Sequence, residues 1–295
     1  MAVRVNAEFP RLIWFMWLQG LASAPDIVKN CYVSWKLHNP DWEIIVLDEG
    51  NLQEYVQLPA AVIKGRRDIS RQALSDIARI NALAQHGGVW VDATCFANVP
   101  VDAWLFKYIR SGFFAFRNPG PDRMLSSWFL ASAKDCYLMS RWRAAVNDFM
   151  GGNAFFNQGN ERILRIVNQL AMALNRHEFC RRLWLLQLFA KFFKAYPYFW
   201  VHYLFAGLVN SDSRFRQIWH STPDYNAGFA RKLRVGGLFR PLPENLKQEI
   251  DNREDPLYKL TWRYDNRRCS TGCVLDYLLR SNESTETRTS IRPEF

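Results

Sequence analysis

The sequence predicts an α/β fold built around a mostly parallel sheet, and three observations support this. The chain opens with a strand, a helix and a second strand in that order. A β-α-β order implies parallel strands joined by a right-handed crossover. A further helix and strand follow within 69–92. The 295 residues, 49% of them hydrophobic, are enough for one large core.

The first three elements are predicted from apolar runs and their boundaries. "PRLIWFMWLQG" (10–20) is a short apolar run between a proline and a glycine, which is typical of a buried strand. "SAPDIVKNCYVSWKLHNP" (23–40) has an apolar face at helical spacing, with Pro25 in its first turn. "DWEIIVLDEGN" (41–51) is rich in isoleucine and valine and predicts the second strand.

The next helix and strand have clear end signals. "ISRQALSDIARINALAQHGG" (69–88) predicts a helix with Ser70 as its N-cap and Gly87 as its stop. A strand at 89–92 follows and ends abruptly on an acid. "GFFAFRNP" (112–119) predicts another buried strand.

The second half of the chain is aromatic-rich and predicts helices. We expect a single domain over 1–280, with a helical insertion at about 125–220 and a flexible polar tail at 281–295. The stretch 181–209 is apolar but interrupted by charges and by Pro197. A core helix pair broken at that proline is the favoured interpretation, and an interfacial helix on anionic lipid is the alternative.

Composition limits the classes of partner. A net charge of +10 favours nucleic acid, anionic lipid or an anionic substrate. Nucleic acid is the least favoured, because the sequence has no zinc-finger spacing, RNP-type motif or heptad-linked basic region. The six scattered cysteines predict free thiols in a reducing cytoplasm. The start of the chain lacks signal-peptide character, so we expect no secretion.

Several candidate residues lie where strands are predicted to end. In open α/β sheets, ligands bind outside the carboxyl ends of the strands, and Trp17, Asp48 and Asp92 come at such ends. Asp76 and Arg79 lie on the helix that leads to Asp92. An arginine suits a phosphate and a carboxylate suits a sugar hydroxyl. The alternatives are a turn-capping role for Asp92 and a surface ion pair between Asp76 and Arg79.

Four segments together resemble glycosyltransferase family 32, and most closely its bacterial capsular polysaccharide sugar transferases. "SDIARINALAQHGGVWVDAT" matches the S-D-x-x-R … G-G-x-(Y/W)-x-D-x-D core, and "WFMWLQG", "SWKLHNPDWEIIVLD" and "PLYKLTW" add to the likeness. The resemblance covers residues 9–120 and recurs at 256–262. It implies a Rossmann-like GT-A domain and sugar transfer from a nucleotide-sugar, a UDP-sugar, with retention at the anomeric carbon.

The resemblance also implies roles for particular positions. Asp76 and Arg79 match the pair that contacts the donor sugar and diphosphate, and Asp92 matches the first acid of the D-x-D motif. The aromatic or apolar residues that match nucleotide contacts are Met16, Trp17 and Trp90. For the two tryptophans, plain core packing is the alternative interpretation.

One position departs from the motif. Thr94 stands where the second acid, the direct metal ligand, is expected. The expected cofactor is a divalent cation, Mn²⁺ or Mg²⁺, held by Asp92 and Thr94. A threonine hydroxyl is a weak ligand for such a hard cation, so the metal would bind weakly, through water, or be dispensable.

The late segment "DPLYKLTW" (255–262) matches a part of the family that closes over the diphosphate. Thr261 and Trp262 are therefore candidate donor-binding residues. Lys259 is a candidate catalytic residue, because its charge would neutralise the leaving diphosphate as a metal does. The alternative is a loop lysine in water.

Acceptor residues are less sharply indicated. Ser127, His202 and Tyr203 are the candidates, and a core histidine is the alternative for His202. The implied acceptor is a glycan or lipid-linked glycan of a capsule or surface polysaccharide. The predicted location is the cytoplasm, at the inner face of the membrane, where the positive charge favours peripheral contact with anionic lipid. A catalytically inactive GT-A scaffold at the membrane surface is the alternative function.

Overall fold

The computed structural model describes residues 9–64, 69–263 and 269–289. A five-stranded sheet lies at its centre and a two-stranded sheet lies beside it. The strands are β1 (Leu12–Met16), β2 (Glu43–Leu47), β3 (Gly88–Asp92), β4 (Cys95–Ala97), β5 (Phe113–Gly120), β6 (Arg123–Ser132) and β7 (Leu257–Lys259).

Helices cover both faces of the central sheet. In chain order they are α1 (Asp26–His38), α2 (Leu52–Tyr55), α3 (Ala60–Lys64), α4 (Arg71–His86), α5 (Val101–Trp104), α6 (Tyr137–Gly151), α7 (Glu161–Asn175), α8 (Leu183–Leu188), α9 (Trp200–Ser211), α10 (Ser213–Ser221), α11 (Lys232–Gly236), α12 (Glu244–Asp251) and α13 (Val274–Thr289).

The central sheet has the strand order β2-β1-β3-β6-β5. Strand β1 pairs in parallel with both β2 and β3. Strand β6 is antiparallel to both β3 and β5, so four of the five strands share one direction. The predicted α/β class and parallel β-α-β start are therefore confirmed.

The sheet separates two hydrophobic clusters, as the two-residue period of a strand requires. Trp14 and Met16 of β1 face the cluster that includes α4, α6 and α9. Ile13 and Phe15 face the cluster that includes α1 and β4. Because both faces are covered, β1 has the nearly continuous apolar sequence of a buried parallel strand.

The junction between α4 and β3 was predicted correctly. The side chain of Ser70 caps α4 by accepting from the backbone N–H of Ala73 at 3.2 Å. Gly87 ends the helix with φ 71°, and Gly88 follows with φ 91°. A Cβ on Gly88 would lie 2.6 Å from the carbonyl oxygen of Leu12. Only glycine allows this close approach of β3 to β1.

The prediction of helix from about residue 125 was wrong for its first part. Residues Arg123–Ser132 form β6, which pairs with β3 on one side and β5 on the other. The strand is buried on both faces, so its sequence lacks the alternation that separates strand from helix. The helical part begins only at Tyr137.

The predicted break near Pro197 is confirmed, but only the second helix of the pair is a core helix. Helix α8 continues as a π-helix over Phe189–Phe193, Lys194 adopts left-handed backbone angles, and α9 begins at Trp200. In the described part of the chain, no helix combines the length and apolarity that crossing a bilayer requires.

The predicted tail begins within α13, which extends to Thr289, and its flexibility stays a prediction. The side chain of Asn282 is buried and donates to the backbone carbonyl of Asn30 in α1 at 3.0 Å. This contact and the buried Leu278 hold the helix against the domain. The rest of the predicted tail, 290–295, lies outside the described residues.

Candidate active site

A cavity of about 690 Å³ opens at the carboxyl ends of β1 and β3, a volume typical of small-molecule sites. Parallel pairing places Met16 directly beside Asp92 at this edge. The candidates that line the cavity are Met16, Trp17, Asp76, Arg79, Trp90, Asp92, Thr94, Ser127, His202, Lys259, Thr261 and Trp262.

Arg79 bridges two carboxylates at the base of the cavity. It donates to Oδ1 of Asp76, one helical turn earlier on α4, and to Oδ1 of Asp92, each at 2.7 Å. The Arg79 side chain is only 5% exposed. A surface ion pair is therefore excluded as the interpretation of Asp76 and Arg79, because their charges are held together in a buried network.

Trp90 contacts both Asp92 and Arg79 of this network. Its indole N–H donates to Oδ1 of Asp92 at 3.2 Å, and the Arg79 guanidinium lies 5.2 Å from the centre of its ring. Trp90 is 1% exposed and also packs in the core. Its observed contacts are thus structural support for Asp92 and Arg79, and its match to a nucleotide contact stays a prediction.

Lys259 reaches the same acid from the other sheet. Antiparallel pairing of β7 with β4 sets Lys259 opposite Cys95, and the backbone N–H of Leu260 donates to the carbonyl of Thr94. The Lys259 ammonium lies 3.2 Å from Oδ2 of Asp92 and donates to the hydroxyl of Thr94. Lys259 is therefore part of the site and not a loop lysine in water.

The pKa values of the two carboxylates, Asp76 and Asp92, are shifted in opposite directions. Burial raises the pKa of Asp76 to about 7, although the neighbouring Arg79 charge opposes this. Burial also acts on Asp92, but the charges of Arg79 and Lys259 and the Trp90 hydrogen bond outweigh it, so the pKa of Asp92 is lowered. The lowered pKa keeps Asp92 ionised near neutral pH, whereas the raised pKa of Asp76 lies close to neutral pH.

Two tryptophans flank the entrance. Trp17 follows β1 and Trp262 follows β7, and their rings pack edge to face with centres 6.0 Å apart. Trp262 remains 46% exposed. An exposed indole beside a cationic cavity is suited to stacking on a nucleobase.

The residues at this site do not fit a protein-bound divalent cation. Both oxygens of Asp92 accept hydrogen bonds from cationic groups, and Thr94 accepts from Lys259. Within the described ranges, no group of three or more His, Cys, Asp or Glu side chains is arranged to hold a metal. The ammonium of Lys259 lies where Asp92 and Thr94 converge, so a cation at that point would have to displace it.

Residues 3–158 match the family model of the capsular polysaccharide synthesis protein. The chain belongs to this family. It is also 26% identical over 149 residues to the O-glycosyltransferase braB of Annulohypoxylon truncatum, a match that covers 44% of this chain and 35% of that relative. The chain thus spans about a third of the length of that curated relative. The PaToxG glycosyltransferase shares 14% identity at a TM-score of 0.40, over 84% of this chain and 86% of the other.

Two residues that the sequence placed at the site, Tyr203 and Asp48, do not line the cavity. Tyr203, an expected acceptor-side residue, is buried and donates to Oδ2 of Asp122 at 2.7 Å. Asp48, expected at the shared crevice, instead accepts from the backbone N–H groups of Gly50 and Asn51 in the turn after β2. Short-range backbone donors satisfy Asp48, which is the usual role of an aspartate in a turn.

His202 and Ser127 do lie at the cavity. Burial lowers the pKa of His202 to about 3, with further lowering by Arg123 and Arg79. The ring is thus neutral across the physiological range, and its Nδ1 has no hydrogen-bond partner among the described groups. His202 is buried and has a backbone contact with Phe199, so the core-histidine interpretation and an acceptor role both stay predictions.

Sequence reasoning missed a group of arginines and β6 residues in the same cavity. They are Arg123, Ser126, Trp128, Arg231, Arg234 and Arg263. The net charge of +10 indicated that positive side chains form a cluster in the fold. No local sequence spacing showed which of the 38 lysines and arginines belong to that cluster.

Proposed function

We propose that the protein is a glycosyltransferase that moves a sugar from a UDP-sugar donor to a glycan acceptor during synthesis of a capsule or another surface polysaccharide. The observation that carries the proposal is the arrangement of Arg79 and Lys259 around Asp92 at the carboxyl ends of β1 and β3. Membership in the capsular polysaccharide synthesis family supports the biological setting.

The cavity offers distinct surfaces for the parts of such a donor. The indoles of Trp17 and Trp262 would hold the uracil ring. The carboxylates of Asp92 and Asp76 would accept hydrogen bonds from the hydroxyls of the ribose and of the sugar. Arg79 and Lys259 would contact the diphosphate, which matches their charge and, for Arg79, its bidentate geometry.

The proposed chemistry is electrostatic. When the bond between the anomeric carbon and the diphosphate breaks, negative charge grows on the departing phosphate oxygen. Fixed positive groups at that point stabilise the transition state more than the ground state. The acceptor hydroxyl attacks from the face that the diphosphate leaves, which gives retention, and its proton passes to the leaving phosphate.

We further propose that this chemistry proceeds without a divalent cation. The family motif places a second acid at the position of Thr94, and here the hydroxyl of Thr94 accepts a hydrogen bond from Lys259. An ammonium in that position supplies one fixed positive charge close to the diphosphate. It thereby replaces the electrostatic contribution that a metal ion would make.

The acceptor is proposed to be presented at the inner face of the cytoplasmic membrane. Three aromatic side chains next to α8 are strongly exposed: Phe179 (81%), Trp184 (58%) and Phe192 (71%). Lys191 and Arg182 lie among them in the sequence. We call these five residues the aromatic–basic face. Exposed aromatics mixed with cations are typical of surfaces that bind anionic lipid.

The deciding experiment is hydrolysis and binding of a panel of UDP-sugars, measured for the wild type, Asp92→Asn and Asp48→Asn. We expect one donor to be turned over, and Asp92→Asn to reduce that turnover by at least about 100-fold. Asp48→Asn is the matched control, because Asp48 also ends a strand but only caps a turn.

Equal loss in both variants would indicate a general folding defect. Failure of the wild type to bind any UDP-sugar would overturn the proposal, and the inactive membrane scaffold would then become the leading function.

A further inference from the structure

The cavity contains more positive charge than a donor diphosphate needs. Its two carboxylates, Asp76 and Asp92, are already matched by Arg79 and Lys259. Four more arginines line the same cavity: Arg123, Arg231, Arg234 and Arg263. A donor diphosphate carries about two negative charges and Asp122 pairs with Arg123, so positive charge remains that favours a second anionic group in the cavity.

Arg123 is held rigidly in the cavity wall. Its Nε lies 3.2 Å from Oδ1 of Asp122, which is 1% exposed and also accepts from the hydroxyl of Tyr203. Its guanidinium stacks 3.7 Å from the centre of the Phe199 ring. This anchoring uses one edge of the guanidinium and leaves its two terminal nitrogens for a ligand.

Arg231 and Arg234 stand beside Arg123. The carbonyl of Pro119 accepts from Nη1 of Arg231, which ties this arginine to the β5–β6 hairpin. Burial lowers the pKa of Arg231, and the positive charges of Arg123 and Arg234 lower it further. Among the residues that the structure describes, none of the ion pairs involves Arg231 or Arg234. Three like charges therefore lie near one another, and one carboxylate, Asp122, pairs with Arg123.

Buried polar atoms without partners lie next to this group. Ser126, Trp128 and His202 line the cavity. The Ser126 hydroxyl, the Trp128 indole N–H and Nδ1 of His202 are buried and have no hydrogen-bond partner among the described groups. The three residues are 1%, 7% and 7% exposed. A buried polar atom without a partner is unfavourable, so we expect these atoms to meet polar groups of a ligand that enters the cavity.

The arginine group lines the same cavity as the donor site but comes from different elements of the fold. His202 lines the cavity together with both groups. Arg79 lies on α4 and Asp92 ends β3, whereas Arg123 begins β6. A ligand at the arginines would thus approach the donor from the side of β6 and α9.

We infer that Arg123, Arg231 and Arg234 form a second anion site that binds a phosphate ester carried by the acceptor. A phosphate has three terminal oxygens and close to two negative charges, which suits several converging guanidinium groups. The unpartnered atoms of Ser126, Trp128 and His202 would bind hydroxyls of the sugar attached to that phosphate. This inference rests on the proposed function, since it assigns the acceptor of the same reaction.

The test is a calorimetric titration of the protein with decyl phosphate, glucose 1-phosphate and glucuronate, with and without saturating UDP. The UDP titration itself tests the proposed function independently. We expect both phosphate esters to bind while UDP is bound, and glucuronate to bind at least about tenfold more weakly. If decyl phosphate binds more tightly than glucose 1-phosphate, the phosphate ester of the acceptor is lipid-linked. If the two esters bind equally well, the acceptor is a soluble phosphate ester.

The variants are Arg234→Ala and Arg231→Gln, with Arg162→Ala on the exposed surface of α7 as the charge-matched control. Arg234 is exposed, so its truncation should leave folding intact. We expect each site variant to weaken phosphate-ester binding about tenfold, as loss of one charge-assisted contact implies, with UDP affinity within about twofold of wild type.

Three results would overturn the inference. One is competition between UDP and the phosphate esters, which would make the arginines part of the donor site. Another is unchanged ester binding in both arginine variants. The third is glucuronate binding as tightly as the esters, which would show that the site does not select phosphate.

Discussion

The ammonium of Lys259 lies 3.2 Å from Oδ2 of Asp92, and the two residues come from different sheets of the fold. Asp92 ends a strand of the central sheet, and Lys259 ends the strand that pairs with β4. Their contact joins the donor-side motif of the first half to a segment near the end of the chain. The expected turnover and metal dependence of the site both depend on this pair.

Lys259→Ala should lower turnover of the preferred donor by about 100-fold or more, because one fixed charge beside the leaving diphosphate is lost. Wild-type turnover should survive EDTA. The double variant Thr94→Asp/Lys259→Ala restores the second acid and removes the ammonium, so it should acquire Mn²⁺-dependent turnover.

Initial rates with and without EDTA and Mn²⁺ provide the measurement for the Lys259 variants. Lys247→Ala, a partly exposed lysine on α12, is the control. Complete loss of wild-type turnover in EDTA would contradict the metal-free mechanism.

Asp76→Asn should stabilise the protein in a pH-dependent way. The pKa of Asp76 is about 7 in the folded state and about 3.9 in an unfolded chain. The folded state therefore binds the proton more tightly, and the contribution of Asp76 to stability falls as the pH rises from about 4 to about 7. An uncharged asparagine removes this loss while its oxygen can still accept from Arg79.

Thermal or urea unfolding at several pH values measures the effect. The variant should match wild type near pH 4 and exceed it near pH 7 by up to about 4 kcal/mol. Taking the difference between the two proteins removes the opposite contribution of His202, whose lowered pKa makes stability rise with pH between about 3 and about 6.5. A constant difference across this range would show that Asp76 is ionised throughout.

Trp262→Ala should weaken UDP binding about tenfold, because base stacking on an aromatic ring contributes roughly 1–3 kcal/mol. Trp262→Phe should retain most of the affinity. Trp184→Ala removes another exposed indole, which lies outside the cavity lining, and serves as the control. Isothermal titration with UDP and with uridine distinguishes the outcomes, and an unchanged affinity in Trp262→Ala would exclude stacking on this ring.

The aromatic–basic face should bind anionic vesicles. Co-sedimentation with phosphatidylglycerol-containing vesicles should fall several-fold in Trp184→Ser/Phe192→Ser, and should weaken with added salt because part of the attraction is electrostatic. Tyr55→Ser changes an exposed aromatic on α2 and is the control. Equal binding by all three proteins would place any membrane contact elsewhere.

Local sequence signals predicted the first half of the fold well. The Ser70 cap, the Gly87 stop and the apolar run before Asp92 each act within a few residues. The three-residue spacing of Asp76 and Arg79 on one helix also places them side by side without tertiary help. For these features, backbone geometry and neighbouring side chains are sufficient to determine the structure.

The sequence alone could not show that β6 is a strand. Its residues are buried on both faces, so periodicity does not distinguish it from a helix. Its backbone groups are satisfied by pairing with β5, in a hairpin, and with β3, which is remote in sequence. The same pairing brings Arg123, Ser126 and Trp128 to the cavity.

The sequence by itself thus determined a parallel β-α-β start, a helix–strand junction with Asp76, Arg79 and Asp92, and a departure from the acid motif at Thr94. The tertiary structure decided that Lys259 occupies the place beside Asp92 and Thr94, and that Arg231 stands in the same cavity. The physical reason is range. Caps, turns and helical spacing act between near neighbours, whereas sheet pairing and the clustering of charge join residues whose separation in sequence carries no signal.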